Sequence, residues 1–236
     1  MDWKRYYENE HIVYHLEKEL NEREKHLWQM VNKLIPEDSI ESVLDVGCGA
    51  GHITNKFFGL GIPRVTGCDI SPYRIDFAKE LYPKCNFEVG SILDLKYGED
   101  SFDLVVGIEI LEHMEDLDKA IEEMRKVTRK WVLITVPFEQ KIIEVLCPYC
   151  LNHFNVDGHM HSFKTLDIVN LVGDHDLLIQ KITYHCSWSP TWKQSLSKHG
   201  VPEGLISMLQ KVIVLAKMTE EPKPTWLGIL AKKNKG

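Results

Sequence analysis

The chain has 236 residues, 44% of them hydrophobic and 27% charged, a balance that suits one compact soluble domain with a sizeable core and excludes a disordered or fibrous chain. Its 28 Lys and Arg against 35 Asp and Glu leave a net charge of −7, which argues against a broad cationic surface for nucleic acid. Six cysteines in a chain too long to need disulfide staples, no apolar run of membrane-spanning length, and a polar, aromatic start from Met1 to Tyr7 without a leader-like pattern predict a reducing, cytoplasmic setting.

From Met1 to Val46 there is no glycine and Pro36 is the only proline, while Val13, Leu16, Leu20, Leu27, Val31 and Leu34 recur at helical spacing. This predicts one long amphipathic helix behind a short aromatic segment, together residues 1–36. Ser42–Val46 is an apolar run entering a glycine cluster, and Arg64–Asp69 is a second that ends in an acid; both read as parallel strands. Ser71 before Pro72 is a helix start, and Ile75, Ala78 and Leu81 share one side of the segment that follows. Asn86–Val89 and Phe102–Ile108 read as the third and fourth strands, Leu117–Val127 as a helix and Trp131–Val136 as the fifth strand. Pro137 closes it, and residues 138–163 form an irregular insertion of a length expected to be functional or separately stabilised. Thr165–Val172 resumes as helix, Leu178–His185 is a sixth strand and Trp226–Ala231 a seventh. Between these two, residues 187–220 hold a helical insertion whose stripe of Leu205, Met208, Leu209, Val212 and Leu215 is expected to cover the sheet. Strands alternating with helices imply crossover units, so the fold class is α/β, a parallel sheet with helices on both faces in a single domain spanning 1–236.

The strongest local signal is Val43-Leu44-Asp45-Val46-Gly47-Cys48-Gly49-Ala50-Gly51, a buried strand running into glycines at every second position. Such a loop permits positive φ and lets a ligand lie against bare backbone. A nicotinamide fingerprint would place its third glycine at position 52, which is His52, so a dinucleotide is disfavoured. A carboxylate at the end of a buried strand, as at Asp45, needs donors or a cation, and a ligand ammonium group would serve. Asp69 ends the second strand where a carboxylate can accept both hydroxyls of a ribose. In Gly90-Ser91-Ile92-Leu93-Asp94, Asp94 is placed to accept from an exocyclic amine such as adenine's, with Ile70 and Ile92 as apolar faces for the ring. Each acid has a bland alternative as a helix cap or solvated loop residue, but three acids at successive strand ends point together to a nucleoside.

The segment Leu44–Thr54 resembles the first motif of the class I S-adenosylmethionine-dependent methyltransferases, and the similarity continues through Asp69, Asp94, Phe102-Asp103-Leu104-Val105 and Glu109-Ile110-Leu111-Glu112-His113. The resemblance covers roughly Ser42–Pro137. It implies a Rossmann-like, seven-stranded, mostly parallel sheet with the seventh strand antiparallel between the fifth and sixth. It also implies that Gly47, Cys48, Gly49 and Gly51 carry the methionine end of S-adenosylmethionine, that Asp69 binds ribose, that Leu93 and Asp94 meet adenine, and that Glu109 lies beside the transferred methyl. Trp3, Tyr6, Tyr7 and His11 would form a lid over the donor, as first segments do in this family; packing as a surface helix is the alternative.

Methyl transfer from a sulfonium is an in-line displacement, so the protein aligns donor and acceptor and adds a base only where the acceptor must lose a proton. Glu109, Glu112 and His113 follow the fourth strand, and His113 is the leading candidate for that base. The spacing Glu-x-x-Glu-His is similar to that of quinone-biosynthesis O-methyltransferases, where such residues hold a divalent metal; a loop-orienting helix start is the plainer alternative. A second constellation, Cys147-Pro148-Tyr149-Cys150 followed by His153, His159 and His161, has the gap of a zinc knuckle, and Cys147, Cys150, His159 and His161 are the expected ligands of a structural Zn2+. His153 competes for that role, and His185 or Cys186 could reach in from the sixth strand. The expected function is transfer of a methyl group to a small-molecule acceptor by a monomer or homodimer without a nucleic acid partner. Rival readings are a methyltransferase for tRNA or protein that docks through the knuckle, a non-catalytic donor-binding module, and, further off, a nicotinamide oxidoreductase.

Overall fold

The computed structural model describes residues 20–146, 148–155, 157–186 and 224–234. The expected lid residues Trp3, Tyr6, Tyr7 and His11, the Leu205–Met218 stripe and Cys147 lie outside them. Among the described residues the order is α1 (Glu22–Leu34), β1 (Ser42–Val46), α2 (His52–Gly59), β2 (Arg64–Asp69), α3 (Pro72–Leu81), β3 (Asn86–Val89), β4 (Phe102–Ile108), α4 (Leu117–Val127) and β5 (Thr128–Pro137). Then follow β6 (Glu144–Leu146), β7 (His153–Asn155), α5 (Thr165–Gly173), β8 (Leu177–His185) and β9 (Trp226–Lys233). No helix among the described residues is long and apolar enough to cross a membrane.

Seven strands form one sheet in the order β3-β2-β1-β4-β5-β9-β8. The first five run parallel, and β9 is antiparallel to both neighbours, with Ile134 opposite Ile229 and Ile182 opposite the same Ile229. Because β1 pairs with β2 on one side and β4 on the other, the crossovers reverse direction between β1 and β4, and the crevice at their carboxyl ends is where α/β sheets bind ligands.

All five residues of β1 and all seven of β4 are buried, as expected of strands covered on both faces. One face packs Val43, Val65, Leu104 and Leu133 against Leu27, Val31 and Leu34 of α1 and Ile53 and Phe57 of α2. The other packs Leu44, Val105, Val132 and Ile134 against Ile121 and Met124 of α4 and Ile168 and Val172 of α5. A Cβ at Gly228 would come within 2.6 Å of Leu34 Cδ1, so α1 rests directly on the β9 backbone.

Two expectations change. Among the described residues the expected helix is interrupted at Leu20 and Asn21: α1 begins at Glu22, because the Asn21 side chain accepts the Glu24 N–H and the Glu24 carboxylate accepts the Asn21 N–H, a reciprocal cap that starts a helix. The insertion is not wholly irregular either; β6 and β7 pair as an antiparallel ribbon, with Val145 opposite Phe154. Helix α2, too short to show a helical period, is additional.

Candidate active site

β1 delivers the chain into the glycine loop, where Gly47, Gly49 and Gly51 take φ of +75°, +54° and +79°, the left-handed region open to glycine. The turn is closed by the Gly47 and Cys48 N–H groups, which donate to Cys68 O at 2.7 and 3.1 Å. At Gly51 an added Cβ would sit 2.6 Å from Phe87 Cζ, whereas at Gly49 it would meet only Arg74 Nη1, at 3.4 Å. Gly51 is therefore required by packing, and Gly49 leaves bare backbone toward the crevice.

The three strand-end acids are differently held. Asp69 is oriented by two backbone donors, Gly49 N–H to Oδ2 and Ser71 N–H to Oδ1, both at 2.9 Å, which aim its carboxylate at the end of β2. Asp94 is exposed and ion-paired with Lys96, whose hydrogen bond holds its carboxyl below the usual range. Ile92 is buried beside it, while Ile70 and Leu93 are half-buried.

Asp45 is buried and takes the Thr54 hydroxyl at 2.6 Å. Burial lifts its carboxyl to about 7, against the opposing Thr54 bond. The unfolded chain ionises at the ordinary value, so between roughly pH 4 and pH 7 the folded protein binds the extra proton. Asp45 thus contributes a loss of stability to the ligand-free protein as pH rises through that window, by a few kcal/mol at most, alongside Glu109 and Glu112, whose carboxyls burial also pushes up. Melting curves from pH 5 to 8 measure this, and Asp45→Asn, which keeps an acceptor for Thr54, flattens the slope; an unchanged slope in the variant would refute the assignment.

Beyond β4, Glu109 takes a left-handed φ of +54° and turns the chain into a 3-10 turn at Leu111–His113. Glu109 Oε2 accepts the Arg23 guanidinium at 2.9 Å, Oε1 accepts the Thr135 hydroxyl at 3.3 Å, and the Trp226 indole is a third donor. Glu112 is completely buried, and among the described residues neither of its carboxylate oxygens has a hydrogen-bond partner. Burial and the neighbouring Glu109 push its carboxyl far up. An orphaned buried carboxyl costs about 1–3 kcal/mol or more, a cost that a cation or a hydrogen-bond donor at this place would offset.

The insertion supplies what faces Glu112. Met160 and His161 N–H donate to Glu112 O at 2.7 and 3.3 Å, carrying His159 to within 4.0 Å of Glu112 Oε1 through Nε2. His113 Nδ1 meets Gly158 O at 3.2 Å and His159 Nδ1 meets Gln140 Oε1 at 2.7 Å. With Gly158 able only to accept, the His113 proton sits on Nδ1 and its Nε2 carries the lone pair; donation from His159 to the Gln140 carbonyl gives the same tautomer. The two rings meet edge to face at 4.7 Å. Burial and His159 hold His113 neutral, down to about 4. Glu112, His113 and His159 can offer one ligand atom each, all within 4.8 Å of one another.

This regroups the expected metal ligands. Cys150 is exposed, whereas His159 turns toward Glu112 and His161 Nε2 meets Met114 O at 2.7 Å; among the described residues these three do not converge, and Cys147 lies outside that set. His153 is exposed on β7. The sequence reading missed His159 as a partner of Glu112 and His113, and with it Gln140, Arg23, Thr135 and Trp226, because no local spacing links them.

The strand order, the left-handed glycine loop and the acids at the β1 and β2 ends come together at the crevice beside the carboxyl ends of β1 and β4. Residues 44–134 match the family described as a methyltransferase domain. The match is to a domain of methyltransferase type and covers less than half of this chain. That segment contains every residue of the loop and strand-end set from Asp45 to His113 and stops before the insertion. The chain is 34% identical over 111 residues to ajmaline N-methyltransferase of Rauvolfia serpentina, a match spanning 43% of this chain and 37% of that one. It is 28% identical over 204 residues to the chloroplastic tocopherol O-methyltransferase of Arabidopsis thaliana, spanning 74% and 55%. The chain spans 34% to 55% of the length of the curated relatives it matches. Among solved structures, an S-adenosylmethionine-dependent methyltransferase of Mesorhizobium loti superposes with a TM-score of 0.64 at 16% identity, covering 90% of this chain and 100% of the other, a likeness of fold.

Proposed function

We propose that the protein transfers the methyl group of S-adenosylmethionine to a hydroxyl-bearing small molecule at the carboxyl edge of β1 and β4, with a divalent cation held by Glu112, His113 and His159. The observation that carries the donor reading is the glycine loop at the switch point, with bare backbone at Gly49 and the carboxylates of Asp45 and Asp69 on either side. In this reading Asp45 receives the donor's ammonium, Asp69 its ribose, and Ile70, Ile92, Leu93 and Asp94 its adenine. An ammonium beside Asp45 favours the ionised carboxylate, so donor uptake tightens as pH rises toward 8. Calorimetry with nucleotide-free protein is expected to show binding of S-adenosylmethionine and of its demethylated product; no uptake of either would overturn the proposal. The curated relatives' names, for an alkaloid N-methyltransferase and a tocopherol O-methyltransferase, support a small-molecule acceptor.

The cation reading rests on the orphaned Glu112 carboxyl facing two imidazoles whose Nδ1 atoms are already committed. Two nitrogens and one carboxylate suit a first-row divalent ion and leave further positions open. When bound, the ion would act as a Lewis acid toward the acceptor hydroxyl. An imidazole as reluctant to protonate as His113 is a weak general base near neutral pH, so we assign His113 to holding the ion rather than to taking the proton. The cation is assigned here, not to the Cys147–Cys150 pair, because His159 and His161 are both engaged with the core loop. Chelator-stripped protein titrated with Zn2+ or Mn2+ is expected to bind one ion, and Glu112→Gln or His159→Gln to lose at least ten-fold in affinity; undiminished binding in both variants would refute the site.

A further inference from the structure

Glu109 carries a carboxyl with no part in the cation cluster, and its surroundings give it a different task. Its side chain is 6% exposed, and it gathers donors from three elements that are remote in sequence: Arg23 of α1, Thr135 of β5 and Trp226 of β9. Its own N–H donates to Thr135 O at 3.0 Å. Both carboxylate oxygens are thus tied to the protein, Oε2 by Arg23 and Oε1 by Thr135. At the same residue the backbone is left-handed, φ +54°, a conformation that a side chain disfavours and that persists only where the surroundings enforce it. The turn made there is the one that carries Glu112 and His113, closed by His113 N–H to Ile110 O and Met114 N–H to Leu111 O, both at 3.1 Å.

We propose that Glu109 is a positioning residue: its buried carboxylate clamps Arg23, Thr135 and Trp226 together, locks the left-handed turn that aims Glu112 and His113, and so makes the geometry of the catalytic edge depend on the seating of α1. This rests on the methyl-transfer reading of that edge. The clamp explains why α1, which contributes no group of its own to the cation cluster, sends Arg23 across the end of the sheet. It also sorts the two glutamates of the Glu-x-x-Glu-His run into separate roles, Glu109 facing inward to the scaffold and Glu112 facing the insertion.

Three variants test this. Glu109→Gly tolerates the left-handed backbone but removes the clamp; Glu109→Gln keeps an acceptor and a donor in the same place; Arg23→Gln removes the α1 arm. Hydrogen exchange of the amides at 111–114 is expected to quicken at least ten-fold in Glu109→Gly and Arg23→Gln and to stay within about three-fold of the parent in Glu109→Gln. With a turnover assay, Glu109→Gly lowers kcat at least ten-fold while the donor dissociation constant stays within about three-fold, and Glu109→Gln restores most of the rate. Loss of turnover in Glu109→Gln as complete as in Glu109→Gly would overturn the proposal by making the carboxylate itself chemical. Unchanged exchange in Glu109→Gly would overturn it by showing that nothing is clamped. Failure of the methyl-transfer reading would show separately, as absence of donor uptake by the parent protein, while the exchange experiment still decides the clamp.

Discussion

Substitution of His113 by asparagine is expected to lower kcat/KM at least ten-fold, by removing one of the three ligands proposed for the cation, while the dissociation constant for S-adenosylmethionine changes by less than about three-fold. The asymmetry follows from position. His113 lies in the turn after β4, with Nδ1 tied to Gly158 O at 3.2 Å and its ring against His159. The glycine loop hangs from β1 and is closed by Cys68 and Asp69 of β2. An asparagine amide can reproduce one hydrogen bond but cannot set an Nε2 lone pair beside Glu112 while its neighbour is bonded to Gly158. Steady-state rates and donor calorimetry on the same protein separate the two outcomes; turnover that survives the change would remove His113 from the mechanism.

The second large effect is on folding. Gly51→Ala forces a Cβ to 2.6 Å from Phe87 Cζ and 3.0 Å from Ala78 Cβ at a residue with φ +79°. The left-handed backbone costs a non-glycine residue about 1–2 kcal/mol, and overpacking a filled site adds about 1–3 kcal/mol. The sum lowers Tm by about 10 °C for a chain of this size. Gly49→Ala supplies the contrast. It shares the left-handed cost at φ +54°, but its Cβ meets only Arg74 Nη1, at 3.4 Å, so without the overpacking Tm falls by about half as much or less, whereas donor affinity is expected to fall at least ten-fold because the methyl stands on the proposed donor's side of the loop. Equal loss of Tm in the two variants would contradict this division of labour between neighbouring glycines.

What could be read from the sequence was what a parallel sheet writes locally. β1 and β4 are buried on both faces, so Ser42–Val46 and Phe102–Ile108 show as mostly apolar runs, and the acids Asp45, Asp69 and Glu109 fall at or just beyond the carboxyl ends of β1, β2 and β4. Pro72 behind Ser71 announced α3 because the Ser71 hydroxyl accepts the Arg74 N–H. Everything that depended on distant parts of the chain was invisible. Spacing could tie His159 to Cys147 and Cys150 only because they are near in sequence; in the structure His159 is drawn to Glu112, 47 residues earlier, by backbone bonds from Met160 and His161 to Glu112 O. The clamp on Glu109 has the same character, since Arg23, Thr135 and Trp226 come from three separate elements. Leu20 and Leu27 suggested one continuous helix because periodicity ignores caps, and the Asn21 and Glu24 exchange that separates them is a detail of hydrogen bonding.

The placement of β9 bears on how the protein comes to be made. Trp226–Lys233 lies between β5 and β8, so the strand that leaves the ribosome last among those described is an interior one. Until it emerges, the nascent chain carries two unsatisfied strand edges, on β5 and on β8, each a template for wrong pairing. Vectorial synthesis can finish the half with the glycine loop first; the half that seats α1, and with it Arg23, must wait for Gly228 to arrive. Chaperone dependence would then concentrate on the interval between β8 and β9.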